Sequence, residues 1–469
     1  MSSDTSNAIS PHVSKAAASR RASRQSTEVV FRSIGLGSLM LAAGVLVWLM
    51  WGIIDKGRYG FTQHMMELTV YIDPEPLRQR EGERDSRYRS RLAKDSIYRT
   101  YLAQASSVYF DEMPEKTLEA VSHLFSDAAA YQIRDGLRAG EHQPGDTVTM
   151  WALMDDLVDV HQKGLFPEEA ILAQGEFDET NVAAMKHLAE VGALKNRLYL
   201  GFPRLNLEIW LPFVGKQSIE VAKGAPGILT SPDSSNPEMA GLGRGIQGTI
   251  LMLLVVIAVA VPLGVAAAIY LEEFAPKNRF TDLIEININN LAAVPSIIFG
   301  VLGLGVLINL LFPFATGWPI IGGLVLSFMT LPTVIISSRA AILAVPSSYK
   351  EAAIGLGASR MQAVFQHVLP AALPGIVSGV IIGIAQAAGE TAPLLPIGMK
   401  TFALGDYTDG LGCLFQTGTA MPAQIFFWAE HAERLFKFKA NAAIIVLLVL
   451  ILSLNAIATY IRWRAERNK

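Results

Sequence analysis

Six stretches of this sequence are apolar for about 20 residues, the length a helix rising about 1.5 Å per residue needs to cross the hydrocarbon of a bilayer. They run roughly Ser33–Ile54, Gln247–Tyr270, Leu291–Leu311, Trp318–Ser338, Pro374–Ile397 and Ala440–Trp463. Hydrocarbon offers no water to backbone amides, so each stretch must satisfy its own hydrogen bonds, and the helix does so. Pro262, Pro295, Pro332 and Pro393 fall inside or near these stretches. Neighbouring helices can meet the backbone groups that such prolines free. Residues 55–244 are different: polar, mixed in charge, and free of spanning segments. The expected fold is therefore an all-α transmembrane core of six helices with an inserted α+β extracytoplasmic domain.

The first stretch follows a Ser-, Ala- and Arg-rich segment, residues 1–32, that reads as a disordered basic tail. The apolar run exceeds the roughly 7–15 residues of a signal-peptide core, and Asp55-Lys56 stands where a small-residue cleavage site would be. Residues 33–54 are expected to remain as an anchor. Within 55–244, Glu67 to Asp73 alternates as a strand does, and Thr147–Leu153 is a second strand candidate after the Gly145-Asp146 turn. Arg84–Gln104 and Pro114–Leu137 read as helices, and residues 224–240 as the linker back to the membrane.

Short basic flanks set the expected orientation. The N-terminal tail, the Lys277/Arg279 loop, the Arg339–Arg360 loop and the C-terminal residues 464–469 all carry Lys or Arg. All four share the cytoplasm only with an even number of spans, and six were counted independently of charge. Both termini are then cytoplasmic and residues 55–244 periplasmic, because long domains translocate regardless of charge.

Several function classes are excluded. A net charge of -3 gives no case for nucleic-acid binding. The single cysteine, Cys413, rules out an intramolecular disulfide and any multi-cysteine metal site. No catalytic set, metal site or cofactor motif stands out. A phosphate-binding loop is missing: Gly215-Lys216-Gln217-Ser218 lacks the upstream glycine and a hydroxyl directly after the lysine. ATP-driven work would need a motor on another chain.

The most informative stretch lies between the fourth and fifth spans. Ser348 to Glu351 and Ser359 to Gln362 each fit a capping box, predicting two short helices joined at a glycine elbow. An exposed helix with small side chains can seat in a partner's groove. Glu351-Ala352-Ala353, Gly357 and Val368-Leu369-Pro370 together resemble the EAA loop of ABC importer permeases. Gly389-Glu390-Thr391-Ala392-Pro393-Leu394-Leu395 resembles the signature of the PstA type of phosphate permease. Pro237-Glu238-Met239-Ala240-Gly241, Tyr270 to Ala275 and Val294 to Gly300 fit the same family, so the resemblance covers most of residues 237–400. One position departs: Gln386 stands where many relatives carry an arginine four residues before the span-five glutamate.

The resemblance implies a type I importer core over residues 245–463 with a coupling loop at 347–370. It implies a second homologous permease subunit, a dimer of ATP-binding subunits and a periplasmic phosphate-binding protein, all working by alternating access in the inner membrane. Glu351, Ala352, Ala353 and Gly357 would couple to the motor. Other substrates stay open, such as phosphonate or molybdate, as do a phosphate-sensing scaffold and a membrane enzyme acting through residues 55–244.

Glu390 has a reading of its own. A carboxylate in an apolar span costs about 2.5–3.5 kcal/mol on insertion scales, so it faces the bundle interior or a wet cavity and not lipid. It is either a structural hydrogen-bond partner or, with Thr391 and Pro393, part of the translocation path or its gate. Its own charge repels phosphate, which favours an ion pair with an arginine of the second permease. Arg339 at the end of span four is an interfacial anchor or a gate contact, and Arg244 a solvated charge or an anion attractor. Gly300, Gly303, Gly305, Gly379 and Gly383 read as faces for close helix packing.

Overall fold

The computed structural model describes residues 15–200, 207–211, 215–219, 227–399 and 410–467. Residues 1–14 of the expected tail, 224–226 of the expected linker and 468–469 of the C-terminal tail lie outside them. The chain divides into two compact units, residues 1–55 and 56–469.

The first unit is helical. Helix α1 runs Lys15–Gly57, so residues 15–32, read from the sequence as tail, belong to the same helix as the apolar run. Its Ala, Arg and Gln are good helix formers, and no proline separates them from Ser33.

The second unit opens with the polar domain. Strand β1 (Thr62–Tyr71) lies between β2 (Thr147–Leu153) and β3 (Leu194–Leu198), antiparallel to both, with Met66 opposite Ala152 and Leu194. Met66, Leu68, Val70 and Ile72 are buried while Glu67, Thr69 and Tyr71 are exposed, the period of two expected of a strand. Helices α2 (Asp85–Leu92), α3 (Asp95–Ala105), α4 (Glu115–His123), α5 (Asp127–Ala139), α6 (Asp156–Gln162), α7 (Glu168–Gln174) and α8 (Glu179–Glu190) complete the domain. Their buried side chains, among them Tyr101, Leu102, Val121, Ile133, Met185 and Leu188, join those of β1 in one core. Each of the two long helices expected here is broken. Arg84–Gln104 divides at Ala93-Lys94. Pro114–Leu137 divides at Leu124–Ser126, where the backbone leaves the helix to bridge Phe125 to Met154 and Ser126 N donates to Leu153 O at 3.0 Å.

The apolar helices follow: α9 (Gly243–Ile269), α10 (Arg279–Ala292), α11 (Ser296–Leu302), α12 (Pro319–Leu343), α13 (Ser347–Gly355), α14 (Arg360–Ala363), α15 (Leu369–Gly389), α16 (Met421–Glu430) and α17 (Arg434–Arg467). Three π-helical runs, Tyr270–Phe274, Gly303–Leu311 and Val364–Val368, extend α9, extend α11 and lead into α15.

The expected span Leu291–Leu311 is not one straight helix. Arg279–Ala292 and Ser296–Leu311 meet at a 102° bend. Pro295 removes a backbone donor there, and Asn278 starts α10 by accepting from Phe280 N and Thr281 N. The pair still makes one crossing. Helices α9 and α12 run parallel, since Met252 lies by Gly322, Val334 by Gly264 and Glu272 by Arg339. A chain leaving one end of α9 can begin a parallel α12 only after returning across the bundle. Helix α15 is antiparallel to α12, with Gly375 against Ala341 and Gly379 against Ser337. With α1, the described residues hold five helices long and apolar enough to cross a membrane, and six when the bent pair counts as one span, the number expected from the sequence.

Candidate functional site: the coupling loop and the segment at Glu390

The loop between α12 and α15 folds as two short helices. Ser359 caps α14 as expected: its Oγ accepts from Gln362 N at 3.3 Å, and Gln362 Oε1 accepts from Ser359 N at 2.9 Å. The box expected at Ser348 does not form. Pro346, with φ -58°, takes the cap position, so α13 begins at Ser347 and Ser348 lies inside the first turn. Between the helices Gly357 adopts φ +95°, a left-handed conformation that L side chains rarely take. This turn lets Ala358 N donate to Ala353 O at 3.0 Å. Ala353 is buried against the bundle while Glu351, Ala352 and Gly357 face outward. Beside them stand Tyr349, Ile354, Met361 and Leu356, the last 92% exposed. Together they form an uncovered apolar patch on a polar loop, of the kind that a protein partner or a membrane surface covers.

The loop rests on the π turn that ends α9. Glu273 pairs with Lys350, the residue before Glu351. Arg339 pairs with Glu272 at 2.5 Å and with Glu285 of α10 at 2.9 Å. The Arg360 guanidinium lies 5.7 Å from the centre of the Phe274 ring. Arg339 is thus a paired group at the loop end of the bundle.

The Glu390 segment lies elsewhere. Gly375 packs beside Ala341 at the loop end, and the fifteen residues from there to Glu390 carry the chain about 22 Å along α15. The sequence placed Glu390 within a span continuing to Ile397; the helix instead stops at Gly389, and Glu390 is its C-cap with ψ 121°. Pro393 explains the stop. Its ring would clash with the Gly389 carbonyl of a continuing helix, and it disfavours helical backbone at Ala392. Residues 390–399 turn back into the bundle. Leu394 and Ile397 are buried with Phe299 and Val325, Thr391 Oγ1 donates to Pro422 O at 3.4 Å, and Gly300 lies directly on the Pro393 backbone. The glutamate side chain is half-buried. The structure therefore brings Glu390, Thr391 and Pro393 together but not Arg339.

Sequence reasoning missed a third cluster, which fastens the polar domain to the ends of α9, α16 and α17 away from the loop. Gln63 Nε2 donates to Glu238 O at 2.8 Å, and Ser126 Oγ to Glu238 Oε1 at 2.6 Å. Gln424 Nε2 donates to Gly241 O at 2.7 Å, the buried Lys439 to Ala240 O at 2.7 Å, and Trp428 Nε1 to Asp233 Oδ1 at 2.9 Å. A cavity of about 390 Å³ beside it is lined by Asp155, Asp156, Glu238 and Glu433. Burial pushes all four carboxyls up, Asp156 to about 6, and does the same to Asp233, also to about 6. The available signal was the pair Glu238 and Lys439, charges beside apolar runs that the sequence alone assigns to solvated flanks.

The geometry is that of a helical membrane protein with an exposed two-helix loop at one end of its bundle. Comparison with known proteins agrees. Residues 260–467 match the family described as binding-protein-dependent transport system inner membrane component, and residues 18–171 match a domain of unknown function, DUF3333. A phosphate transport system permease protein PstA 2 of Mycobacterium tuberculosis is 32% identical over 236 residues, 48% of this chain and 73% of that protein. The phosphate transport system permease protein PstA of Yersinia pestis is 29% identical over 261 residues, 54% and 83% of the two chains. The probable ABC transporter permease protein YqgI of Bacillus subtilis is 35% identical over 170 residues, and the match spans 36% of this chain and 56% of that protein. The chain belongs to the family of binding-protein-dependent ABC importer permeases. Its several apolar helices fit a multi-pass inner-membrane protein of that family.

Proposed function

We propose that this permease moves inorganic phosphate across the inner membrane. It pairs with a second homologous permease, is driven by a dimer of ATP-binding subunits, and receives its anion from a periplasmic phosphate-binding protein. The loop 347–370 and both termini are cytoplasmic, residues 55–244 are periplasmic, and lipid surrounds the rest. The observation that carries the reading is the exposed two-helix loop, which presents Glu351, Ala352 and an apolar ridge at one end of the bundle. The phosphate assignment rests on the Glu390 signature and on relatives named as phosphate permeases.

Glu390, Thr391 and Pro393 form the gate in this reading. A helix that ends at mid-bundle and returns as irregular backbone is tolerated only where it is buried in protein or lines a cavity. The half-buried carboxylate then pairs with a base on the second permease. Reconstitution of the complex with radiolabelled phosphate, molybdate and a phosphonate tests the substrate: phosphate alone should enter in an ATP-dependent manner. Uptake of another oxyanion in its place refutes the assignment. Glu390→Gln should abolish uptake while the subunits still co-purify, and wild-type uptake by this variant removes Glu390 from the mechanism.

A further inference from the structure

Three consecutive residues of the π turn at the end of α9 each hold a different part of the loop region. Glu272 holds Arg339 near the end of α12, Glu273 holds Lys350 of α13, and Phe274 lies under Arg360 of α14. The turn is closed by Ala275 N donating to Tyr270 O at 2.7 Å, an i to i+5 bond. Such wider turns inside helices occur often at functional positions. Arg339 also reaches Glu285 at 2.9 Å, which draws α10 into the same network.

The chain joins the loop covalently to α12 and α15 and to no other helix of the core. Helices α9 and α10 follow the loop through side chains: these polar contacts, and the apolar cluster in which Ala268 and Ile269 of α9 pack with Val364 and Val368. We infer that the Glu272–Phe274 turn is the transmission seat through which displacement of the coupling loop moves α9 and α10. The inference rests on the reading of the loop as the motor's docking site. Lys350, Glu273, Glu272 and Glu285 are positioning residues that act through the loop and helices they hold together. The pairs suit the task because they are largely shielded from solvent. Glu273 and Glu272 are 10% and 12% exposed, so salt screens them less than surface pairs.

The test reads the movement of α10 without a transported solute. Asn290 is exposed on α10, and Cys413 is the sole native cysteine. In a Cys413→Ser, Asn290→Cys chain assembled with its ATP-binding subunits, ATP with vanadate should change the rate of maleimide labelling by about tenfold, within the usual range of coupling between sites. Lys350→Glu should remove that response, and Lys350→Glu with Glu273→Lys should restore it. If the single reversal fails to assemble, the neutral Lys350→Met replaces it and should also lose the response. A response that survives these single changes overturns the proposal, as does a double reversal that assembles but stays unresponsive, or an unresponsive parent chain. Since no solute enters the assay, a transporter for another anion leaves the seat standing, and a failed seat leaves the phosphate assignment standing.

Discussion

Replacing Asp233 by asparagine should stabilise this protein at neutral and alkaline pH and do nothing in acid. Asp233 accepts a hydrogen bond from Trp428 Nε1 at 2.9 Å where the polar domain meets the helix ends away from the loop. Burial lifts its carboxyl from the usual 3.8 to about 6, against the opposing pull of the Trp428 hydrogen bond. A carboxyl raised in the folded state contributes stability that is fully present below the unfolded value. That contribution is lost as pH rises through the folded one. The window is therefore 3.8 to about 6. A shift of about 2 units at about 1.4 kcal/mol each sets a ceiling near 3 kcal/mol. Solvent reaches the half-buried side chain, which lowers the expected gain to about 1–2 kcal/mol. Asparagine keeps an oxygen to accept from Trp428 and never ionises. Thermal unfolding of the purified complex in detergent, wild type against Asp233→Asn, should show curves that coincide near pH 4 and separate to their full extent by pH 8. Asp155, Asp156, Glu238 and Glu433 titrate in the same sense but are common to both proteins, so the difference isolates Asp233. A gain of equal size at both extremes, or a loss at pH 8, refutes the reasoning.

Gly357→Ala forces a Cβ into the left-handed elbow of the loop at φ +95°. It should cost about 1–2 kcal/mol locally and weaken recovery of the ATP-binding subunits on affinity purification, with membrane insertion unchanged. Gly300→Ala would set a Cβ 2.4 Å from Pro393 O and 2.7 Å from Pro393 Cα, both backbone atoms that cannot rotate away. The expected cost is about 1–3 kcal/mol, with phosphate uptake lost before the complex falls apart, as measured by uptake and by size-exclusion chromatography of the same preparation.

The sequence made some elements legible because their signals are local. Strand β2 has the bounds expected from its alternation, and the capping box at Ser359 forms as its spacing requires. Expectations failed where a partner distant in sequence decided. Local periodicity carries a helix through Leu124–Ser126, but the bridge from Phe125 to Met154 takes the backbone away. Helix α10 was missed up to Asn290 because Asp282, Glu285, Asn287, Asn289 and Asn290 depress its hydropathy, although Asn278 marks its start. Pro295 was visible, yet a proline does not say whether a span kinks or breaks. Of the candidate site, the two short helices of the loop could be read directly, because their residue types and spacing are local signals. The acids that hold it could not, because Glu272 and Glu273 find their partners 67 and 77 residues away.

Within residues 56–469, the polar domain and the loop occupy opposite ends of the same helices. The domain is fastened through Glu238, Ala240 and Gly241, just before α9 begins, and through Gln424 and Lys439 near the start of α17. The loop is held at Glu272 and Glu273, just after α9 ends. Helix α17 leaves the domain at Leu435 and Phe436 and reaches Ser378 of α15 with Arg462, on its way to the loop end. A force on the loop can reach the domain along α9, or through α15 and α17. Helix α9 is the direct route, since it carries the transmission seat at one end and the domain's hydrogen bonds at the other. A load on the domain would then be felt at the loop by the same path, because coupling between two sites is reciprocal in free energy. A domain that merely covered the bundle would need no buried Lys439 or Glu238 at the join, and apolar side chains would serve there at lower cost. The polar fastening ties the domain to the start of α9, so a displacement of α9 is carried directly into the hydrogen-bonded join.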